Sequence, residues 1–418
     1  MEMDSHLPDA SSCSRNGGPA VCVVLQGVYD IDSRVRRKAA ALVANGYSVD
    51  VIALRPHGGV PLYSADGVEI RTINLGKKRG TLIRYAFEYV TFFLWALARV
   101  SWQMVRRRYI AVDVNTLPDF LVFAAAPAKW MGATVILDMH EIMPEFYMSK
   151  YRATERGPVI RFLKYVERCS FAFADRVITI NEPVQDLLIA RGLAPSKSTV
   201  VMNAVDESRF ATAAARPDPA PAPRANRFVM MYHGTLTRIY GLDFAIEAFA
   251  MAHAKMPGSE LRILGSGPEL EPLRRLVERR GLESKVVLTG QVPPADIPRW
   301  LSQCDVGILP IRRDVFLDFA FPNKLPEFII NRKPVIVSRL KTIRHYFSES
   351  ALVYFEPNNA ADLAAQMIRV YHDPVLRSQK AAAAAREYAP IAWGVMRDRY
   401  LTVVKASVNQ REPLPVGF

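Results

Sequence analysis

Short apolar runs alternate with segments of helical period along most of the chain. The first is Val21 to Gln26, followed by Ser33 to Asn45 with Gly46 in the place of a helix C-cap, and then Ser48 to Leu54. Further strands are predicted at Val68 to Ile73, Ala111 to Asn115, Thr134 to Leu137, Arg176 to Ile180 and Thr199 to Met202. Strands of this kind, with helices between them, predict a parallel, doubly wound α/β sheet. Near Ala211 the pattern breaks into ATAAARPDPAPAPRAN, rich in alanine and proline and without period, which reads as a linker at 211–226. The rhythm then restarts at Phe228 to Tyr232, Leu261 to Leu264, Val286 to Thr289, Val306 to Leu309, Pro334 to Val337 and Leu352 to Phe355. Helices are predicted at Leu242 to Met256, Ala360 to Tyr371, Val375 to Tyr388 and, after Pro390, Ile391 to Ser407. The fold class expected is α/β, with two Rossmann-like doubly wound parallel-sheet domains facing a cleft, where the carboxyl ends of the strands hold ligands. Its expected divisions are a disordered leader at 1–20, a first domain at 21–210, the linker at 211–226, a second domain at 227–390, and a final helix and tail at 391–418.

Length agrees, since 418 residues exceed what one core organises. Half of the residues are apolar and 23% are charged, which excludes a disordered or fibrous chain. The net charge of +13 favours anionic partners without choosing among nucleotide phosphates, acidic lipid and nucleic acid. Basic and acidic residues are interspersed and form no aromatic-basic module, so nucleic acid is the least favoured. Cys13, Cys22, Cys169 and Cys304 show neither metal spacing nor a disulfide framework. The polar first twenty residues lack the features of a secretion signal, and the expected location is cytoplasmic. Leu82 to Val105 is the most lipid-like segment, but Arg84, Glu88 and Arg99 leave too short an uncharged run to span a bilayer. Its aromatics and flanking bases suit a helix packed on the sheet, or one lying on the inner, anionic face of a membrane.

Candidate chemistry clusters at predicted strand ends. Phe321 to Ser338, FPNKLPEFIINRKPVIVS, reads as loop, helix and strand, and Pro322 and Pro326 place Lys324 and Glu327 at the helix start, an end that attracts phosphate. The same stretch is also what an ordinary crossover would look like. After Tyr232 comes HGTLTRIYG, whose Gly234, Thr235, Arg238 and Gly241 can hold a diphosphate or simply form a turn. Gly265-Ser266-Gly267-Pro268 is a weaker glycine pair, and Gly290-Gln291-Val292-Pro293 offers a lip for a nucleobase or another turn. In the first half, Asp138-Met139-His140-Glu141 follows a strand. No second ligand set completes a metal site there, which leaves His140 to donate to a sugar hydroxyl or a developing charge, or to cap a helix.

Together with Arg176 to Ile180 and Asn203-Ala204-Val205-Asp206, these stretches occur in an order that resembles the nucleotide-sugar glycosyltransferases of the GT-B fold, glycosyl transferases group 1 (family four), from about Val21 to about Ser407. The resemblance implies a donor bound by the second domain, at Gly234, Thr235, Arg238, Gly265, Gly267, Gly290, Lys324, Leu325 and Glu327. Glu327 would bond the donor ribose, and Arg238 and Lys324 would meet the diphosphate. His140 would contact the donor sugar, with His140 and Glu141 on the acceptor side, and the final helix would cross back to the first domain. The catalytic set implied is His140, Arg238 and Lys324, with no metal and no cofactor besides the nucleotide-sugar substrate. Hexosyl transfer with retention to a sugar or lipid-linked acceptor is implied, as in cell-envelope or exopolysaccharide assembly. Two departures stand out: Tyr240 replaces the usual lysine before the turn glycine, and Phe319 replaces the first glutamate of the paired-acid motif, with Asp318 adjoining. Those losses keep open a nucleotide-sugar epimerase and an inactive nucleotide-sugar-binding protein.

Overall fold

Runs of valine, isoleucine and leucine with no polar face become the inner strands of two sheets, because a strand covered by helices on both sides has no solvent face to supply. The computed structural model describes residues 18–75, 82–207, 210 and 227–409. It divides into two compact units, Met1–Met202 with Met396–Phe418, and Asn203–Val395.

The first unit contains β1 (Ala20–Val28), β2 (Ser48–Leu54), β3 (Leu62–Ala65), β4 (Val68–Ile73), β5 (Ala111–Asn115), β6 (Thr134–Asp138), β7 (Arg176–Thr179) and β8 (Ser198–Val200). They lie in the order β3-β4-β2-β1-β5-β6-β7-β8. Every pairing is parallel except β3 with β4. β3 is an edge strand that the apolar pattern does not announce, since Leu62 and Ser64 are exposed. Its signal is Asp66-Gly67, two residues with φ of 52° and 78° that close a two-residue hairpin between Ala65 and Val68.

The second unit contains β9 (Phe228–His233), β10 (Ser259–Leu264), β11 (Val286–Gly290), β12 (Val306–Leu309), β13 (Val335–Ser338) and β14 (Val353–Phe355). The order is β11-β10-β9-β12-β13-β14, parallel throughout. Both sheets are therefore doubly wound, with strand order reversing beside β1 in one unit and beside β9 in the other, where such folds bind ligands.

The unit limits differ from the predicted domain limits. Residues beyond Met202 belong to the second unit, where Glu207 accepts hydrogen bonds from the Tyr388 hydroxyl (3.4 Å) and the Trp393 amide (3.3 Å). The chain rejoins the first unit at Met396, within the helix Trp393–Asn409, rather than at Ile391. Met396, Tyr400 and Val404 are fully buried, and the Met202 amide donates to Met396 Sδ. The linker predicted at 211–226 and nearly all of the leader predicted at 1–20 lie outside the described residues, whereas Ala20 already opens β1.

Leu82–Arg107 is a single helix of 26 residues. Phe92, Ala96, Val100 and Met104 are buried, while Phe87, Val90, Leu94, Trp102 and Val105 are exposed. Among the described residues no helix is long and apolar enough to cross a membrane.

Candidate functional site

The carboxyl ends of β9, β10 and β11 meet through glycine backbone. Gly234, at φ 126°, donates its amide to the Leu264 carbonyl (2.8 Å), and the Gly265 amide donates to the Gly290 carbonyl (2.8 Å). A Cβ on Gly265 (φ 139°) would overlap the Gly234 carbonyl, and one on Gly267 (φ 157°) the Leu236 carbonyl. Only glycine allows these loops to approach so closely. They bound a cavity of about 440 Å³ whose walls include His233, Gly234, Gly265, Gln291, Val292 and Glu327. Thr235 also lines it, held by the Tyr232 hydroxyl donating to its carbonyl (3.0 Å).

Lys324 and Glu327 come from the helix Lys324–Ile330, which follows β12 and has seven residues. Phe328 and Ile329 bury the other side of that helix, and Phe328 packs where a side chain on Gly307 of β12 would stand. The Lys324 stem runs along Gly234, where any Cβ would overlap its Cε. Its Nζ lies 4.2 Å from the Tyr240 ring centroid and 5.5 Å from that of Tyr232, so an aromatic face stabilises the ammonium. Burial lowers the Lys324 amine to about 8, with Glu327 opposing the shift. His233 Nε2 stands 3.4 Å from Glu327 Oε2 and has no hydrogen-bond partner among the described residues. Burial, reinforced by Lys324, lowers His233 to about 3, so its ring is neutral at physiological pH.

The structure therefore brings Lys324, Glu327, Gly234, Thr235, Gly265, Gly267 and Gly290 to one strand-end region of the second unit. Gly234, Thr235, Gly265 and Glu327 line the cavity itself, whereas Lys324, Gly267, Gly290, Arg238 and Leu325 do not. Arg238, itself exposed, begins the three-residue turn Arg238–Tyr240, and its carbonyl accepts from Arg312 Nε (2.8 Å). Leu325 is completely buried in the core, which leaves its side chain a packing role. The reading of Tyr240 as a loss also changes, because its ring supports the neighbouring cation. His233 was not picked out from the sequence, although a histidine directly before a strand-end glycine was its signal. At the paired-acid position the Phe319 ring lies 4.8 Å from Lys341 Nζ, and the Asp318 carboxylate accepts from the Lys341 amide (3.4 Å) and faces Arg313 Nε (3.5 Å).

In the first unit, His140 and Glu141 follow β6. The His140 amide donates to Thr116 Oγ1 (3.0 Å), while its Nε2 stands 3.0 Å from Asn115 Oδ1 and 3.6 Å from Asp138 Oδ2. Beneath them, Lys38 bonds Asp113, Asn115 and Asp138, and Arg34 bonds Asp138. Burial alone would raise the Asp138 carboxyl, but Arg34, Lys38 and His140 hold it far below the usual range and keep it ionised. Burial and then Arg34 lower His140, against Asp138. Burial raises Glu141, with Lys150 opposing.

Two doubly wound sheets, one with a cation, a carboxylate and glycine loops at its strand ends, place the chain among two-domain Rossmann-like proteins, whose strand ends are where such folds bind ligands. The sequence matches the family described as Glycosyl transferases group 1 over residues 227–373, and the Glycosyl transferase 4-like domain over residues 31–204. The chain belongs to the group 1 (family four) glycosyltransferases, with the GT-B fold. It is 23% identical over 405 residues to a glycogen synthase of Mycobacterium tuberculosis, covering 91% of this chain and 92% of the relative. It is 32% identical over 200 residues to a putative colanic acid biosynthesis glycosyltransferase, WcaL, of Salmonella typhimurium, covering 46% of this chain and 48% of that one. Among solved structures, Anabaena HepE in complex with UDP-glucose superposes with a TM-score of 0.66 at 15% identity, over 93% of this chain and 99% of the other.

Proposed function

We propose that the second unit binds a nucleoside diphosphate sugar and that the enzyme passes its hexosyl group, with retention, to a hydroxyl of a sugar or lipid-linked acceptor in envelope or exopolysaccharide assembly. The observation that carries this reading is the pairing of Lys324 and Glu327 on one helical turn beside the glycine loops of β9 and β10. The glycines let a diphosphate approach the backbone, and Lys324 meets its charge in a site of lowered dielectric. Glu327 accepts from the ribose hydroxyls, and Gln291 and Val292 receive the base.

In the transfer, the bond from the anomeric carbon to phosphate oxygen breaks and its electron pair leaves with the diphosphate. The acceptor oxygen then bonds the anomeric carbon, and its proton passes to the leaving phosphate. Lys324 neutralises the charge that develops, which is why the protein's own cation is proposed to suffice without a metal. His140 and Glu141 are assigned to the acceptor side. Arg238, exposed on its turn, is assigned a secondary part in holding phosphate. The HepE complex with UDP-glucose and the WcaL relatives support the donor class and the polymer setting.

Thermal stabilisation by UDP, GDP, ADP and dTDP, followed by a sugar series on the base that binds, tests this reading. One diphosphate should raise Tm in the wild type and fail to do so in Lys324→Ala. Equal stabilisation of both proteins would refute the assignment of Lys324. Transfer by the wild type should persist in a chelator and fall far more in Lys324→Ala than in Arg238→Ala.

The helix Leu82–Arg107 supports an acceptor at an anionic membrane on the cytoplasmic side. Its exposed stripe of Phe87, Leu94 and Trp102 is flanked by Arg99, Arg106 and Arg108, also exposed. Co-sedimentation with vesicles containing phosphatidylglycerol should be lost in the triple variant Phe87→Ser, Leu94→Ser, Trp102→Ser.

A further inference from the structure

His140 can serve a substrate hydroxyl in two opposite ways, and its surroundings decide which. Asn115 Nδ2 faces three acceptors: the Val24 carbonyl (3.3 Å), the Asp113 carbonyl (3.3 Å) and Asp113 Oδ1 (3.4 Å). That fixes the orientation of the amide, because turning it over would set oxygen against oxygen at all three. Asn115 Oδ1 consequently faces Lys38 Nζ (2.8 Å) and His140 Nε2 (3.0 Å). An ammonium only donates and an amide oxygen only accepts. His140 Nε2 must therefore carry a hydrogen, a conclusion that the Asp138 carboxylate 3.6 Å from the same nitrogen reinforces. A neutral ring with hydrogen on Nε2 has a bare lone pair on Nδ1.

Among the described residues no hydrogen bond reaches Nδ1, and 17% of the side-chain surface stays open to solvent. The charged groups around the ring are Arg34 and Lys38 from the helix Ser33–Ala44, Asp113 from β5, Asp138 from β6 and Glu141 on its own loop. Burial and the two cations oppose a second proton. This reverses the expectation that His140 donates to a sugar hydroxyl.

We propose that Asn115 and Lys38 are positioning residues that lock His140 in the Nε2–H tautomer, so that Nδ1 accepts the hydrogen of a substrate hydroxyl. The part of this that concerns substrate rests on the glycosyl-transfer reading, whereas the tautomer does not. Substrates that present an ether or a carbonyl where a hydroxyl belongs have nothing to give Nδ1, and the site rejects them because its acceptor is left unpaired.

The test uses full-length protein labelled with ¹⁵N at histidine, with His140→Gln to assign the resonance. In the free wild type, at neutral pH, Nδ1 should give a pyridine-type shift and Nε2 a protonated one. A protonated Nδ1 in that spectrum overturns the proposal without any variant, so a failure of Asn115 variants to fold leaves it falsifiable. Asn115→Leu should give a mixture of tautomers and a fall in kcat/KM of about tenfold or more, with no further loss when combined with His140→Gln. An unchanged tautomer in Asn115→Leu also overturns it. Because the spectrum needs no substrate, a wild type that transfers no sugar would count against the functional reading alone.

Discussion

At Lys324, burial and the neighbouring Glu327 carboxylate act on the ammonium in opposite directions. Buried beside Gly234, it titrates near 8, well below an exposed lysine. Between about 8 and the value near 10.4 of the unfolded chain, the unfolded state binds more protons, so this group's contribution to stability rises with pH across that window. Below about 8 the fold carries the whole cost of a desolvated ammonium. Lys324→Met should therefore be at least as stable as the wild type at pH 7, by roughly 1 kcal/mol, with the difference shrinking as pH rises through 8 to 10, as denaturant titrations would show. Diphosphate affinity should run the other way and weaken as pH rises through about 8, which calorimetric titration across that range measures. Lys324 and Glu327 were legible in the sequence as a cation and a carboxylate three residues apart at a helix start. His233, the ring of Tyr240 and the Asn115 amide were not, because each acquires its role from a partner far away in the chain: Glu327, Lys324 and Lys38. Arg238 shows the converse, a residue type suited to phosphate on a turn that leaves it exposed.

At the scale of elements, three strand ends depend on backbones that touch. Gly265→Ala combines φ 139° with overlap on the Gly234 carbonyl, two rigid constraints. It should cost about 1–3 kcal/mol of stability and also weaken diphosphate binding. Gly234→Ala shares the backbone strain, at φ 126°, but its Cβ meets the Lys324 stem, which can move, so it should cost less stability than Gly265→Ala while also weakening binding. Paired melts and ligand titrations of the two variants separate these outcomes. Equal effects of both changes on Tm would show that the stem is as rigid as the loops. The inner strands were readable to within a residue or two because burial on both faces demands continuous apolar runs; Ser48–Leu54, Ala111–Asn115 and Val306–Leu309 coincide with their predicted limits, as does Val68–Ile73, whose residues alternate between buried and half-buried. The helix with Lys324 runs seven residues, Lys324–Ile330, as the sequence indicates: Pro322 and Pro326 fit the approach and first turn, and Asn331 ends it. β3 lacked any buried run and escaped notice.

For the whole molecule, the first unit is discontinuous, in keeping with the expected return of the final helix, but its limits differ from those read from composition. The proline-rich composition of 211–226 drew the predicted boundary there, yet what decides membership is burial, and Glu207 is tied to Tyr388 and Trp393 while Met396 and Tyr400 join the first sheet. The Tyr400 hydroxyl donates to Asp113 Oδ2 (2.8 Å), which also accepts from Lys38. Tyr400→Phe removes one of the two donors to a buried carboxylate oxygen and should lower stability by about 1–3 kcal/mol. Differential scanning calorimetry should show that loss in the transition of the first unit, and an unchanged profile would mean that water replaces the hydroxyl.

The same tyrosine orders events on the ribosome. Residues 18–202 emerge earlier, but the helix that covers their sheet and satisfies Asp113 is translated only after all of Asn203–Val395. The earlier half of the protein must wait, incomplete, while the later half is made, and a chain released before residue 400 would carry a finished second unit and a first unit still lacking its last wall.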